Sequence, residues 1–316
     1  MTLRLRVARA EWEAHVHGVA AEYGDLLPVV KGNGYGFGFD ELVTRAAALA
    51  DTIAVGTVYE AARVTPDVGV VVLTPTLGDG LEGLTTGTRL TVGSVDHVAA
   101  LVEHGWRGDV IVKLRSSMQR YGARREELPA VLDALAGAGC SHAGWSLHPP
   151  LDESTADRPG EASRWLESLD DGLPFHVSHL SPVELSVLRE RFAPRRIVAR
   201  SGTRLWLGDK SALALEARVL DVGIAEQPTA GYRARPVAVG ARLVMVGVGT
   251  AHGVTEHSDG TSPFHFGRRR LELLEPPHMH TSMLVVAEGD PCPAVGDWVD
   301  VQRPLTRVSV DEIRWT

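Results

Sequence analysis

The sequence predicts an α/β protein: a (β/α)8 barrel of the TIM type followed by a C-terminal all-β domain. Three observations carry this. Eight short apolar runs lie between residues 26 and 202. Most are separated by Ala/Glu/Arg-rich stretches whose apolar residues recur every three or four positions, as on a helix packed along one face. After about residue 212 short β-type runs continue with no comparable helical stretch between them. Strands alternating with helices imply parallel βαβ units, and a count of eight favours a closed barrel over an open sheet. The expected domains are therefore 1–212 and 213–316.

In order, the barrel runs are LLPVVKGNGYG (26–36), TIAVGTV (52–58), VGVVVLTPT (68–76), TRLTVGS (88–94), DVIVKL (109–114), HAGWSLH (142–148), PFHVSHL (174–180) and RIVARSG (196–202). FDELVTRAAALA, VDHVAALVEHG, REELPAVLDALAGAG and SPVELSVLRERFA are the clearest helices between them. Ser94 or Asp96 opens the second of these as a cap, and Gly105 and Gly139 close helices where a left-handed residue is needed. The β domain is read from ARVLDVGI, ARPVAVG, RLVMVGVG, TSMLVVAEG and DWVDVQRP, each bounded by Gly, Pro or Asp.

The 316 residues carry 40 acidic against 32 basic side chains, a formal charge of −8. That balance argues against a nucleic-acid partner, which requires a basic surface. No run approaches the roughly 18 apolar residues of a membrane span, and no signal peptide opens the chain, so a cytoplasmic protein without a membrane partner is expected. Cys140 and Cys292 stand far apart with neither disulfide nor zinc spacing. His252, His257, His265, His278 and His280 offer further metal donors in the β domain, but none adds a third ligand with diagnostic spacing, and no metal is expected.

TIM-type barrels carry chemistry at the C-terminal ends of their strands, where Lys31, Arg120, His148, His179 and Arg200 fall. Only three lysines occur, Lys31, Lys113 and Lys210, so a reaction needing a primary amine has few candidates. Lys31 leaves an apolar strand among Gly32, Gly34, Gly36 and Gly38. Partial desolvation there lowers an amine's pKa and frees it to attack a carbonyl. A phosphate-binding glycine loop is the alternative, weakened by the lack of a following G-K-[ST].

The segment VVKGNGYGFG resembles the V-V-K-A-N-A-Y-G-H-G motif of the alanine racemase family, the fold type III enzymes that use pyridoxal 5'-phosphate (PLP). The resemblance implies that Lys31 is the Schiff-base lysine and Tyr35 a phosphate-side tyrosine. VIVKLRSSMQRYG, ending on Gly122, is similar to K-x-D-T-G-M-x-R-x-G. It implies that Lys113 is the lysine often carbamylated, and that Arg120 reaches the cofactor's phenolic oxygen. WSLHPPLDE (145–153) is similar to T-H-F-A-x-A-D-E, which implies that His148 stacks near the pyridine ring. ARSGTRLWLG (199–208) resembles R-P-G-I-A-L-Y-G, with Arg200 facing the pyridine nitrogen and Gly202 and Thr203 at the phosphate. His179, in SHLS (178–181) where the family has N-S-A, joins the cofactor set.

Racemisation needs a base on each face of the substrate's α-carbon. The resemblance places one on Lys31 and the other on a tyrosine from a partner subunit's P-I-G-Y-A-D-G stretch. Here that stretch is VGVGTAHGV (246–254), with Thr250 at the tyrosine. A threonine hydroxyl has no ionisation near neutral pH, so His252, two residues on, is the expected substitute. Tyr232, in TAGYRARP, falls instead on the family's V-G-Y-G strand. D-T-G becomes R-S-S (115–117), and M-D-Q-x-M becomes HMHTSM (278–283). The expected function is a PLP-dependent racemase of a small amino acid, working as a head-to-tail homodimer. Two alternatives remain: a degenerate PLP-binding paralogue, and a single-base lyase or aldolase on the same scaffold.

Overall fold

The computed structural model describes residues 1–152 and 156–316; Glu153, the last residue of WSLHPPLDE, lies outside the described residues. The chain divides into two compact units. One comprises residues 15–32 and 39–208, the other residues 1–14, 33–38 and 209–316. The division expected after residue 212 is thus crossed by two earlier segments, which group with the β unit.

In chain order the elements up to the barrel's last helix are β1 (Leu3–Val7), α1 (Arg9–Tyr23), β2 (Leu26–Pro28), α2 (Phe39–Ala47), β3 (Thr52–Val55), α3 (Val58–Ala61), β4 (Gly69–Val72), β5 (Thr88–Val92), α4 (Val95–Glu103), β6 (Asp109–Lys113), α5 (Leu128–Ala138), β7 (Ser141–Leu147), α6 (Arg158–Leu166), β8 (Phe175–Ser178), α7 (Pro182–Arg191), β9 (Ile197–Ser201) and α8 (Thr203–Leu207). Strands β2 to β9 form one parallel sheet in sequence order, in which β2 pairs β9 and a bridge from Val29 to Ala54 returns to β3. All eight expected runs supply its strands. Its interior is apolar, with Leu27, Val29, Ala54, Val71, Ile111 and Val198 in one buried cluster. Helix ends follow their local chemistry: Ser94 caps α4 by accepting from His97 N, and Gly139 closes α5 at φ +68°.

The β unit continues with β10 (Leu213–Ile224), β11 (Thr229–Ala230), β12 (Arg235–Pro236), β13 (Arg242–Val246), β14 (Phe264–Phe266), β15 (Arg269–Arg270), β16 (Glu272–Leu273), β17 (Ser282–Val286), β18 (Trp298–Val301) and β19 (Glu312–Trp315). The sheet runs β15-β14-β18-β10-β13-β17-β16, and β1 joins it antiparallel to β10 and parallel to β19. Its core includes Leu3, Ala217, Val244, Phe264, Leu284 and Val299. ARPVAVG, expected as a strand, contributes only the short β12. Pro236 lacks a ladder donor and Val239 is exposed, so the run has neither the hydrogen bonds nor the buried face a longer strand needs. Residues 33–38 are held here by Asn33, whose Nδ2 donates to the carbonyls of Leu305 (2.7 Å) and Val308 (2.6 Å).

Candidate active site

Alternation along the barrel strands builds the site. Side chains two residues apart share a face of a strand. The buried inner residues Val29, Ile111 and Val198 are followed two positions later by Lys31, Lys113 and Arg200. The apolar interior therefore continues at the strands' C-terminal ends into a cluster of basic side chains.

Arg200 is buried and tied on several sides. Its Nε donates to Ser178 Oγ at 3.0 Å and its Nη1 to Ser146 Oγ at 2.5 Å. Its Nη2 reaches the Leu147 carbonyl (3.1 Å), Ser178 Oγ (2.9 Å) and His148 Nδ1 (3.2 Å). Burial pushes its pKa down to about 10, so it stays cationic at neutral pH. Guanidinium only donates, so His148 must present a lone pair at Nδ1 and carry any ring proton on Nε2. Burial, with Arg200, His179, Lys113 and Arg120 around it, pushes the His148 pKa down to about 2. This imidazole is neutral.

His179 stands beside it, ring centroids 4.5 Å apart, in the left-handed region at φ +65°. Its Nδ1 lies 2.9 Å from the Pro149 carbonyl. Since a carbonyl only accepts, Nδ1 bears the proton, and neutral Nε2 is an acceptor. Burial holds the His179 pKa low, so Nε2 becomes a donor only where a nearby anion raises that pKa and the ring takes up a proton from solvent. Ser178, in the same SHLS segment, is spent on Arg200.

Lys113 is 5% exposed, and its pKa is pushed down to about 6 by burial and by Arg200, Arg120 and Lys31. Its Nζ lies 5.3 Å from the centre of the Tyr121 ring, and the Arg120 guanidinium 4.8 Å from the same centre. Arg120 is exposed, yet its charge acts on Lys31, Lys113, His148 and Arg200. Burial first, then Arg200 and Arg120, lowers the Lys31 pKa, while Glu60 raises it. Gly202 precedes α8, which is docked on β2 by the Trp206 indole donating to the Val29 carbonyl at 2.8 Å. The first N–H groups of a helix have no partner within it, and those of α8 begin at Thr203.

A family model described as the N-terminal domain of alanine racemase matches residues 9–178. The chain belongs to the alanine racemase family. Solved members share its fold. The alanine racemase of Bartonella henselae, crystallised with covalently bound pyridoxal phosphate, is 17% identical over 99% of both chains, with a TM-score of 0.76. The biosynthetic alanine racemase of Pseudomonas aeruginosa is 22% identical, covering 100% of this chain and 99% of its own, with a TM-score of 0.70. That of Corynebacterium glutamicum is 20% identical, covering 99% and 98%, with the same TM-score. No curated protein matches the chain in sequence.

Within the family fold, the barrel unit brings together Lys31, Lys113, Arg120, His148, His179 and Arg200. Tyr35, Thr250 and His252 belong to the β unit. Tyr35 is buried in a short turn with φ +55°. His252 is half-buried beside Asp311, Nε2 to Oδ1 3.6 Å, with a side chain 13% exposed. Thr250 is exposed. Tyr232 is 90% exposed at a hairpin tip whose backbone is pinned by the buried Glu275 carboxylate, which accepts from Tyr232 N (2.6 Å) and Arg233 N (2.9 Å). Sequence reasoning missed Ser146, Ser178 and Glu60. The signal for the serines was a small hydroxyl at an inward position of an otherwise apolar strand. Among the described residues, no group of three or more His, Cys, Asp or Glu side chains could hold a metal ion.

Proposed function

We propose that this chain is a PLP-dependent amino-acid racemase. The observation that carries the proposal is Arg200, buried among barrel donors and acceptors, in one cluster with the buried Lys113 and with Lys31, whose pKa is also lowered. The residues suit the group. Arg200, Arg120 and Lys31 at one strand-end cluster favour a ligand bearing phosphate and phenolate charge. Arg200 Nη1 gives one N–H to Ser146 and has a second to offer a ring nitrogen that accepts.

Bound PLP would serve as an electron sink for the carbanion left when a substrate's α-proton departs. Lys31 Nζ would bind its aldehyde and, released by the substrate's amine, take or return the proton on one face of Cα. Arg200, kept in place by Ser146, Ser178 and His148, would hold the ring nitrogen without protonating it. Arg120 would bind the phenolic oxygen. Gly202, Thr203 and Tyr35 would bind the phosphate, joined by His179 once the phosphate charge raises its pKa and the ring takes up a proton from solvent.

Lys113 would complete the arrangement after addition of carbon dioxide to its neutral amine, which releases one proton and leaves a carbamate. That replaces a neutral amine by an anion facing Arg120. A buried amine with a pKa of about 6 is unprotonated at neutral pH, as this addition requires.

For the opposite face we assign Tyr232, delivered by a second copy of the chain, in preference to the expected His252. His252 lies 3.6 Å from the Asp311 carboxylate with a largely shielded side chain, and Thr250 cannot ionise near neutral pH. Tyr232 offers an exposed phenol on a fixed backbone.

The test is L-alanine in heavy water with the full chain and PLP. Deuterated D-alanine is the expected product; deuterium at Cα without inversion indicates a one-base enzyme, and no exchange a protein that binds without turnover. Tyr232→Phe should cut inversion by about 10²-fold or more, whereas His252→Gln should leave it within a few fold. Mixing Lys31→Ala chains with Tyr232→Phe chains should recover activity if the two residues act from different copies; no recovery removes the dimer from the proposal.

A further inference from the structure

We propose that Glu60 is the positioning residue for Lys31: one carboxylate locks the backbone on either side of the lysine's pocket and supplies the negative charge facing its amine. The inference rests on the reading of Lys31 as the cofactor lysine. Three backbone N–H groups converge on this side chain. Gly32 N, immediately after Lys31, donates to Oε1 at 2.7 Å, while Gly56 N and Thr57 N donate to Oε2 at 2.6 and 3.1 Å. The carboxylate thereby ties the exit of β2 to the exit of β3, two barrel strands closed by a single bridge.

Capping alone does not account for this. Glu60 completes a capping box with Thr57 at the start of α3, its own N–H donating to Thr57 Oγ1 at 3.3 Å. A capping box needs only the Thr57 amide; the Gly32 and Gly56 amides lie outside it. Gly56 shows how closely the parts approach. A Cβ there would stand 2.8 Å from Glu60 Oε2 and 3.4 Å from Lys31 Cβ, so the glycine lets the acid and the lysine stem share one corner. In the cluster of Lys31, Lys113, Arg120 and Arg200, Glu60 is also the group that opposes the loss of charge at Lys31.

The role separates into a charge effect and a backbone effect, and both can be read without catalysis. In the full chain freed of cofactor, Glu60→Gln should raise acylation of Lys31 at pH 7 about threefold or more, because loss of the carboxylate leaves more of the amine neutral. Peptide mass spectrometry would resolve this as a shifted pH profile. The same variant should lose hydrogen-exchange protection at the Gly32 and Gly56 amides. Thr57→Ala breaks the capping box from the other side and should change neither readout. If Glu60→Gln does not fold, Gly56→Ala, which drives a methyl against the carboxylate, should reproduce its effects more weakly. A parent-like profile and parent-like protection in the carboxylate or glycine variant overturn the proposal, as does an equal change in Thr57→Ala. Because the readouts need no cofactor, failure of the parent chain to take up PLP would sink the racemase reading while leaving this outcome legible.

Discussion

Lys113 is a buried amine among like charges, and the cost of that placement is measurable. In the unfolded chain its pKa returns to the ordinary lysine value near 10.4, whereas in the fold it is about 6. Between those values the unfolded state binds more protons, so stability rises with pH, by up to about 1.4 kcal/mol per unit for each unequal proton. Lys31 has the same sign, and so do His148 and His176, but the histidines titrate below neutrality in both states and drop out above pH 7. Urea denaturation of the cofactor-free chain, kept free of bicarbonate, should show stability increasing from pH 7 to 9. Lys113→Met should flatten most of that slope. An unchanged slope would mean that the amine is better solvated than its 5% exposure implies.

The same residues show what a sequence reveals at this scale. Lys31, Arg120, His148 and Arg200 were legible because each terminates or follows an apolar run, in a motif order shared with a family. Ser146, Ser178 and Glu60 were not, because their significance lies in a partner far along the chain: Ser146 bonds Arg200, 54 positions away, and Glu60 bonds Gly32, 28 away. Short hydroxyl and acid side chains carry no periodicity that would mark such a pairing. The choice of second base that we propose departs from the sequence reading for a related reason. Spacing favoured His252, whereas the proximity of Asp311 to that ring and the Glu275 contacts that fix the Tyr232 hairpin are visible only in the fold.

At the scale of elements, the segment after β6 illustrates how geometry brings Arg120 to the strand end. The chain leaves Lys113, turns, and returns so that Ala123 N donates to the Lys113 carbonyl at 2.8 Å and Arg115 N to the Ala123 carbonyl at 2.9 Å. Gly122 makes the return at φ +143°, and a Cβ there would lie 2.8 Å from Arg115 N and Leu114 C. These neighbours are backbone and cannot step aside. Gly122→Ala should therefore cost roughly 1–3 kcal/mol and weaken PLP uptake by displacing Arg120 and Tyr121. Gly137→Ala, an exposed position of α5 with open space around it, should instead stabilise by up to about 1 kcal/mol. Urea midpoints with a PLP titration would check both; a neutral Gly122→Ala would show that the return has slack. The helices and barrel strands themselves were readable because each repeats its period long enough to be counted.

At the scale of the whole molecule, β1 is where the sequence reading and the fold part most clearly. LRLRV alternates apolar and charged residues over only five positions at the start of the chain, and a barrel count beginning at residue 26 leaves it no place. In the fold Leu3, Leu5 and Val7 are fully buried in the β unit. Arg4 donates to Glu216 at 2.7 Å and lies 3.7 Å from the centre of the Trp298 ring. Asp311 accepts from the amides of Thr2 and Leu3 at 2.8 and 2.9 Å. Both chain ends meet here: Thr316 N donates to the Val7 carbonyl and Arg9 N to that of Thr316, each at 2.9 Å. Because β1 lies between β10 and β19, its loss opens two ladders and uncovers three buried side chains worth about 1.5–3 kcal/mol each. That sum is comparable with the whole stability of a domain. A chain lacking residues 1–7 should accordingly lose hydrogen-exchange protection across β10, β13 and β17 while the β6 and β7 amides keep theirs. Equal loss in both sets would mean that the two units unfold together, and retained protection in β10 would mean that the sheet closes without its first strand.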